Sequence, residues 1–172
     1  MVLSDGEIIE YLNENKLVVK PLDKLQIQPA SIDIRLGNTF CLLDHEKNAT
    51  IKLGDKLDYK TLFQDKYVLL PGEFVLASSM EYVELPLDLA ALVEGRSSLG
   101  RIGLSVQNAA WVEPGFTGEI TLELFNASKY AIELRSGYKI GQLIFVKTDR
   151  NVLNPYSGKY QNQRGATGSR EY

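Results

Sequence analysis

In Gly118-Glu119-Ile120-Thr121-Leu122-Glu123-Leu124-Phe125-Asn126, aliphatic side chains take every second position, with Thr121 and Glu123 between them. A period of two belongs to a β-strand, whose successive side chains point to opposite faces. Such a strand packs Ile120, Leu122 and Leu124 inward. It turns Thr121 and Glu123 to the other face, where the carboxylate can be aimed into a site.

Working outward, short β-compatible runs occur at 31–36, 40–43, 67–70, 74–78, 82–85, 90–93, 119–125, 131–134 and 142–147, separated by Gly, Pro, Asn and Asp. Pro71-Gly72, Pro114-Gly115 and Ser136-Gly137 read as turns between strands. One helix is expected, over 5–14: Ser4 is a capping residue with Glu7 three positions on, and Ile8, Ile9 and Leu12 fall on one side. No long second helix is apparent. The reading is a mainly β protein, a compact barrel, jelly roll or related clip, with a short N-terminal helix.

The chain has 172 residues and a formal charge of −3, enough for one domain over 1–172. The charges are interspersed, so an extended basic nucleic-acid track is not expected. No run of 18 or more apolar residues offers a membrane helix, and Met1-Val2-Leu3-Ser4-Asp5 lacks the features of a secretory signal, which leads to the expectation of a cytoplasmic protein. Cys41 is the only cysteine and His45 the only histidine. That excludes an internal disulfide and leaves too few soft ligands for the usual zinc site; both residues read as local packing or a surface turn.

Glu94-Gly95-Arg96-Ser97-Ser98-Leu99-Gly100-Arg101 gathers two guanidinium groups and two hydroxyls in a tight glycine-flanked segment. Arg96 and Arg101 can make charge-assisted contacts to phosphate, with Ser97, Ser98 and main-chain N–H groups adding donors. It is not a Walker loop, and a solvated arginine pair on a structural turn fits the same residues. Glu123 is suited to orient and deprotonate water if partial burial raises its pKa, yet an ion-paired strand carboxylate fits the local sequence too. Glu113, beside the Pro114 turn, is a second candidate, suited to sugar or metal-associated water. The segment 156–172 is polar and glycine-punctuated, with little to form a core. It reads either as a frayed end or as a tail that closes over a ligand or a neighbouring subunit.

Several stretches together resemble the dCTP deaminase family: Gln28-Pro29-Ala30-Ser31-Ile32-Asp33-Ile34-Arg35-Leu36-Gly37, the 94–101 segment, Gln107-Asn108-Ala109-Ala110-Trp111-Val112-Glu113-Pro114-Gly115-Phe116, the 118–126 strand, Gly141-Gln142-Leu143-Ile144-Phe145 and Lys159-Tyr160-Gln161-Asn162-Gln163-Arg164-Gly165-Ala166. The resemblance spans nearly the whole chain. It implies a dUTPase-like β-clip, a distorted barrel or jelly roll, assembled as a homotrimer with active sites between subunits.

By the same resemblance Glu123 is the proton-transfer residue, with Ser97 and Arg101 beside it at the reacting centre. Arg96, Ser97, Ser98, Leu99, Gly100, Arg101, Glu113, Thr121, Leu122, Glu123, Tyr156, Lys159 and Gln163 form the substrate site. Magnesium is implied through the triphosphate rather than through the protein, with no protein-bound zinc. The implied reaction is hydrolytic deamination of dCTP at C4 with ammonia release. dCTP and dUTP are the expected ligands, dTTP a possible feedback ligand, and neither nucleic acid nor membrane a partner.

Within the family, deaminases that stop at dUTP commonly carry Thr-Ala-His-Arg before an Asp-Pro-Gly turn, whereas those that also cleave the triphosphate carry Ala-Gly followed by Trp or Phe. Ala109-Ala110-Trp111 resembles the second, dUMP-forming branch, with Ala110 in place of glycine and Glu113 in place of aspartate. The competing readings are a deaminase releasing dUTP, a dUTPase without deaminase activity, and a noncatalytic deoxynucleotide sensor.

Overall fold

The computed structural model describes residues 1–44, 50–108 and 111–170. The expectations placed on His45, Ala109 and Ala110 lie outside the described residues. The helix α1 covers Asp5–Asn13, one residue shorter than expected, and is opened by the anticipated capping box. Glu7 N–H donates to Ser4 Oγ at 3.5 Å and Ser4 N–H to Glu7 at 3.5 Å. Ile8 and Tyr11 are its buried residues.

Eleven strands follow: β1 Val18–Lys20, β2 Ile27–Gln28, β3 Ser31–Leu43, β4 Tyr59–Phe63, β5 Lys66–Leu69, β6 Phe74–Glu84, β7 Leu89–Gly95, β8 Leu104–Gln107, β9 Thr117–Asn126, β10 Ile132–Arg135 and β11 Lys139–Lys147. Between β7 and β8 lies a one-turn helix, α2, Ser97–Gly100. The main sheet runs β7-β11-β3-β6-β9-β8 with β1 on β6 and β2 and β4 on β3, while β5 and β10 form a separate pair. Every strand pairing is antiparallel. The sheet curls into a nearly closed barrel, as expected.

The expected breaks at 37–39 and 79–81 are not turns. Ser31–Leu43 and Phe74–Glu84 are continuous strands whose mutual register shifts between Leu36 and Phe40. The β6–β9 register shifts between Ser78 and Tyr82. Gly37 serves close approach rather than reversal, because a Cβ there would lie 2.3 Å from Ser78 Oγ. The turns at 71–72, 114–115 and 136–137 form as anticipated, Gly115 with φ 84°. β1, β2, β4 and β8 were not expected.

The core fills the barrel from both long strands. Ile32, Ile34, Leu36 and Phe40 of β3 meet Ile120, Leu122 and Leu124 of β9 and Leu143 and Phe145 of β11, all essentially inaccessible. Each such side chain contributes roughly 1.5–3 kcal/mol relative to exposure. Leu3, Ile8 and Tyr11 belong to the same core, so α1 packs against the sheet. No helix among the described residues is long and apolar enough to cross a membrane.

Candidate active site

β7 ends at Gly95, where a Cβ would approach Val106 of β8 to 3.3 Å, and the chain then leaves the sheet through Arg96 in extended conformation. The Arg96 carbonyl accepts from Leu99 N–H at 2.9 Å and Gly100 N–H at 3.1 Å, winding the single turn of α2. Leu99 is buried and anchors this turn, leaving Ser97, Ser98 and Gly100 exposed. Gly95, Arg96, Ser97 and Gly100 line a concavity of about 520 Å³ together with β8. Ser98, Leu99 and Arg101 are not among its lining residues.

Arg96 is held from behind by the 28–37 stretch. Its Nε lies 3.8 Å from the Asp33 carboxylate, which also receives Lys139 Nζ at 3.0 Å and Gln28 Nε2 at 3.3 Å. Asp33 itself is buried. A fixed carboxylate restricts the arc through which a long guanidinium side chain swings, which lowers the ordering cost of gripping an anion.

A second and larger cavity, about 780 Å³, opens on the outward face of β9. Alternation along β9 is the one anticipated: Ile120, Leu122 and Leu124 are buried in the core, and Thr121 and Glu123 on the other face line this cavity, whose wall Ile120 also reaches. Glu113, Tyr156 and Gln163 line it too, as does the half-exposed Trp111. Leu122, expected in the site, is fully buried in the core and lines neither cavity. Asn108 lines both cavities and ties them to β9 by donating to the Thr121 carbonyl at 3.0 Å.

The tail, 156–170, lies against this cavity. Tyr156 packs on Phe116 with centroids 5.8 Å apart, and its hydroxyl accepts from Tyr160 N–H at 3.3 Å. Thr167 N–H donates to Thr121 Oγ1 at 3.1 Å, and Ser169 N–H to the Tyr59 hydroxyl at 3.2 Å. Gln163 Nε2 donates to the Glu119 carbonyl at 2.7 Å, while its buried Oε1 has no hydrogen-bond partner among the described residues. An unmatched buried acceptor beside a cavity is suited to a ligand N–H or O–H. Lys159 is turned elsewhere: its Nζ donates to the Arg170 carbonyl at 2.6 Å and it does not line the cavity.

Cys41, also on the cavity wall, has its thiol pKa raised by burial, opposed in part by the Thr61 side chain and the Gly168 main chain. Among the described residues no three or more His, Cys, Asp or Glu side chains converge as a metal cluster. Asn108, Tyr160 and the Asp33 anchor had no separate signal in the sequence. Each lies within a stretch already singled out, but its direction depends on the barrel.

On an antiparallel barrel, a cavity beside the arginine- and serine-bearing turn of α2 adjoins a larger one lined by two carboxylates, Glu113 and Glu123. The family model described as dCTP deaminase-like matches residues 2–148, and the chain belongs to that family. Curated relatives include the dUMP-forming dCTP deaminases of Sulfurihydrogenibium sp. (strain YO3AOP1), 46% identical over 99% of this chain and 97% of the relative, and of Aquifex aeolicus (strain VF5), 44% identical over 99% and 94%.

Among solved structures, the 2'-deoxycytidine 5'-triphosphate deaminase from Agrobacterium tumefaciens matches with a TM-score of 0.63 and 28% identity over 84% of this chain. The match spans 47% of that longer chain. The Staphylococcus bacteriophage 80alpha dUTPase shares the fold at a TM-score of 0.51 and 17% identity, covering 84% of this chain and 97% of that one. The expected β-clip with its N-terminal helix is thus borne out.

Proposed function

We propose that the protein converts dCTP and water to ammonia and, with a second water, to dUMP and diphosphate. The observation that carries this reading is Glu123: β9 anchors its backbone in the core and delivers the carboxylate to a cavity also lined by Glu113, Tyr156 and Gln163. Glu123 takes a proton from water as the oxygen bonds to C4 and the C4–N3 double bond opens onto N3, giving a tetrahedral centre. It then gives the proton to the amino group, the N3 electron pair re-forms the double bond as the bond from C4 to the amino nitrogen breaks, ammonia leaves, and the remaining hydroxyl proton moves to N3 to give uracil. Ser97 and Arg101 orient the base and the reacting water. Arg96, Ser97 and Ser98 take the phosphates, and Glu113 the sugar side and the water that attacks the triphosphate. Magnesium enters with the triphosphate and offsets its charge, needing no protein cluster. dTTP shares the deoxyribose and triphosphate and competes for the same site.

In this reading the site is completed between subunits of a homotrimer. Support comes from the division of the candidate residues between two adjoining cavities. A further support is the apolar face formed by Phe74 and Phe125, paired across β6 and β9 and both exposed. Co-expressed Ser97→Ala and Glu123→Gln chains are expected to recover ammonia release that neither variant has alone, because some mixed trimers then contain an intact site. No recovery places both residues in one chain's site.

Arg96→Ala is expected to raise KM for dCTP about 10- to 100-fold, the effect of losing a charge-assisted hydrogen bond of about 1.5–3 kcal/mol. Asp33→Asn should reproduce part of that loss. Steady-state kinetics check both, and an Arg96→Ala effect that persists undiminished with deoxycytidine contradicts the phosphate role.

The test of the function is ammonia release from dCTP set beside diphosphate release from dUTP. A deaminase releases ammonia from dCTP. Diphosphate from dUTP with no ammonia from dCTP marks a dUTPase, and binding without either product marks a sensor.

A further inference from the structure

We infer that Glu119 is a positioning residue, a clamp that fixes the C-terminal tail on β9 and so sets Gln163 at the cavity wall. β8 pairs with β9 only from Glu123 to Asn126, which leaves the adjoining edge of β9, residues 117–122, without a β8 partner. The tail takes that edge. Asn162 N–H donates to the Thr117 carbonyl at 2.8 Å, Glu119 N–H donates to the Gln163 carbonyl at 3.0 Å, and Gly118 and Gln163 form a parallel bridge. This is strand addition, with main-chain bonds supplying the attachment.

Glu119 adds its side chain to that edge. One carboxylate oxygen accepts from Gly165 N–H at 2.6 Å and the other from Arg164 Nη1 at 3.2 Å. Its own carbonyl receives Gln163 Nε2. A single residue therefore grips three consecutive tail positions. Arg164 is in turn stacked 3.9 Å from the ring centroid of Tyr82, the residue opposite Glu119 in the β6–β9 register.

The tail has little apolar anchorage of its own: of 161–170, only Gln163 and Ala166 are buried. Its attachment is therefore set by polar bonds, of which those to a carboxylate are the stronger kind. Glu119 does not line the cavity, so its effect reaches the ligand only through Gln163 and the segment beyond, where Gly168 touches Cys41.

The clamp itself stands without the proposed reaction; its kinetic consequence rests on that reading. Glu119→Ala and Glu119→Gln are compared with wild type by tryptic cleavage after Lys159 and Arg164, by alkylation of Cys41, and by KM and kcat for dCTP. Glu119→Ala is expected to speed tail cleavage and Cys41 alkylation about tenfold and to raise KM about tenfold with kcat within about twofold, the scale of one lost charge-assisted bond. Glu119→Gln should recover part of each, since its amide oxygen still accepts from Gly165. In a Gln163→Ala background the KM increment should largely vanish.

Wild-type cleavage and alkylation rates in Glu119→Ala overturn the clamp, as does an equal KM increment with and without Gln163. If the wild-type protein releases no ammonia, the reading of function fails, and cleavage and alkylation alone decide the clamp. Glu119→Gln retains the shape and most of the bonding and serves if the alanine variant does not fold.

Discussion

Glu123→Gln is expected to lower kcat for ammonia release from dCTP by about 10²- to 10⁴-fold, the usual contribution of a positioned general base. The amide is nearly isosteric with the carboxylate, and the strand is held by Ile120, Leu122 and Leu124 rather than by residue 123. Nucleotide affinity should therefore stay within about threefold of wild type, because phosphate and sugar contacts dominate it. Calorimetric titration with dCTP and steady-state ammonia assays separate the two. A folded variant with near-normal ammonia release contradicts the role given to Glu123. A parallel loss of binding and turnover moves the residue from proton transfer to substrate holding.

Glu81→Ala is expected to destabilise the fold by about 3–5 kcal/mol, because it strips the partner from a charge at the edge of the core. Glu81 is fully buried, where β6 shifts register against β9. Its Oε1 accepts from Arg35 Nε at 2.6 Å and Gln26 Nε2 at 2.9 Å, and its Oε2 from Arg35 N–H at 2.8 Å. Removing it takes the acceptor from Arg35 Nε and Arg35 N–H, and one of two from Gln26 Nε2, which keeps the Asp33 carbonyl at 2.8 Å. Tm should fall by about 6–20 °C for a chain of this size. Thermal and urea denaturation check this, and a loss below about 1 kcal/mol would show that water replaces the carboxylate at little cost.

The elements legible in the sequence were those governed by local rules. The α1 cap, the three turn pairs and the alternation of β9 each depend on residues within a few positions, and each formed where expected. In the sequence the long strands β3 and β6 each look like two, because Gly37-Asn38-Thr39 and Ser79-Met80-Glu81 resemble interruptions; only the packing of Gly37 on Ser78 and of Glu81 on Arg35 turns them into register shifts. β4 escaped because several of its residues stay exposed, Phe63 among them, and alternation marks only strands with one buried face.

The residues expected at the candidate site come together only in part. Thr121, Glu123, Glu113, Tyr156 and Gln163 come together, and Arg96 and Ser97 fall in the adjoining cavity. Lys159 spends its ammonium on Arg170 and Leu122 its side chain on the core, placements that depend on chain reversals far from either residue. The tail carries no apolar periodicity from which its path could be read, since hydrogen bonds to the edge of β9 order it rather than apolar burial.

The coupled reaction is tested most directly by incubating purified protein with dCTP and magnesium and quantifying ammonia, dUTP, dUMP and diphosphate in one time course. Equal amounts of dUMP, ammonia and diphosphate with no released dUTP are the expected result; dUTP accumulating with ammonia and without diphosphate contradicts it.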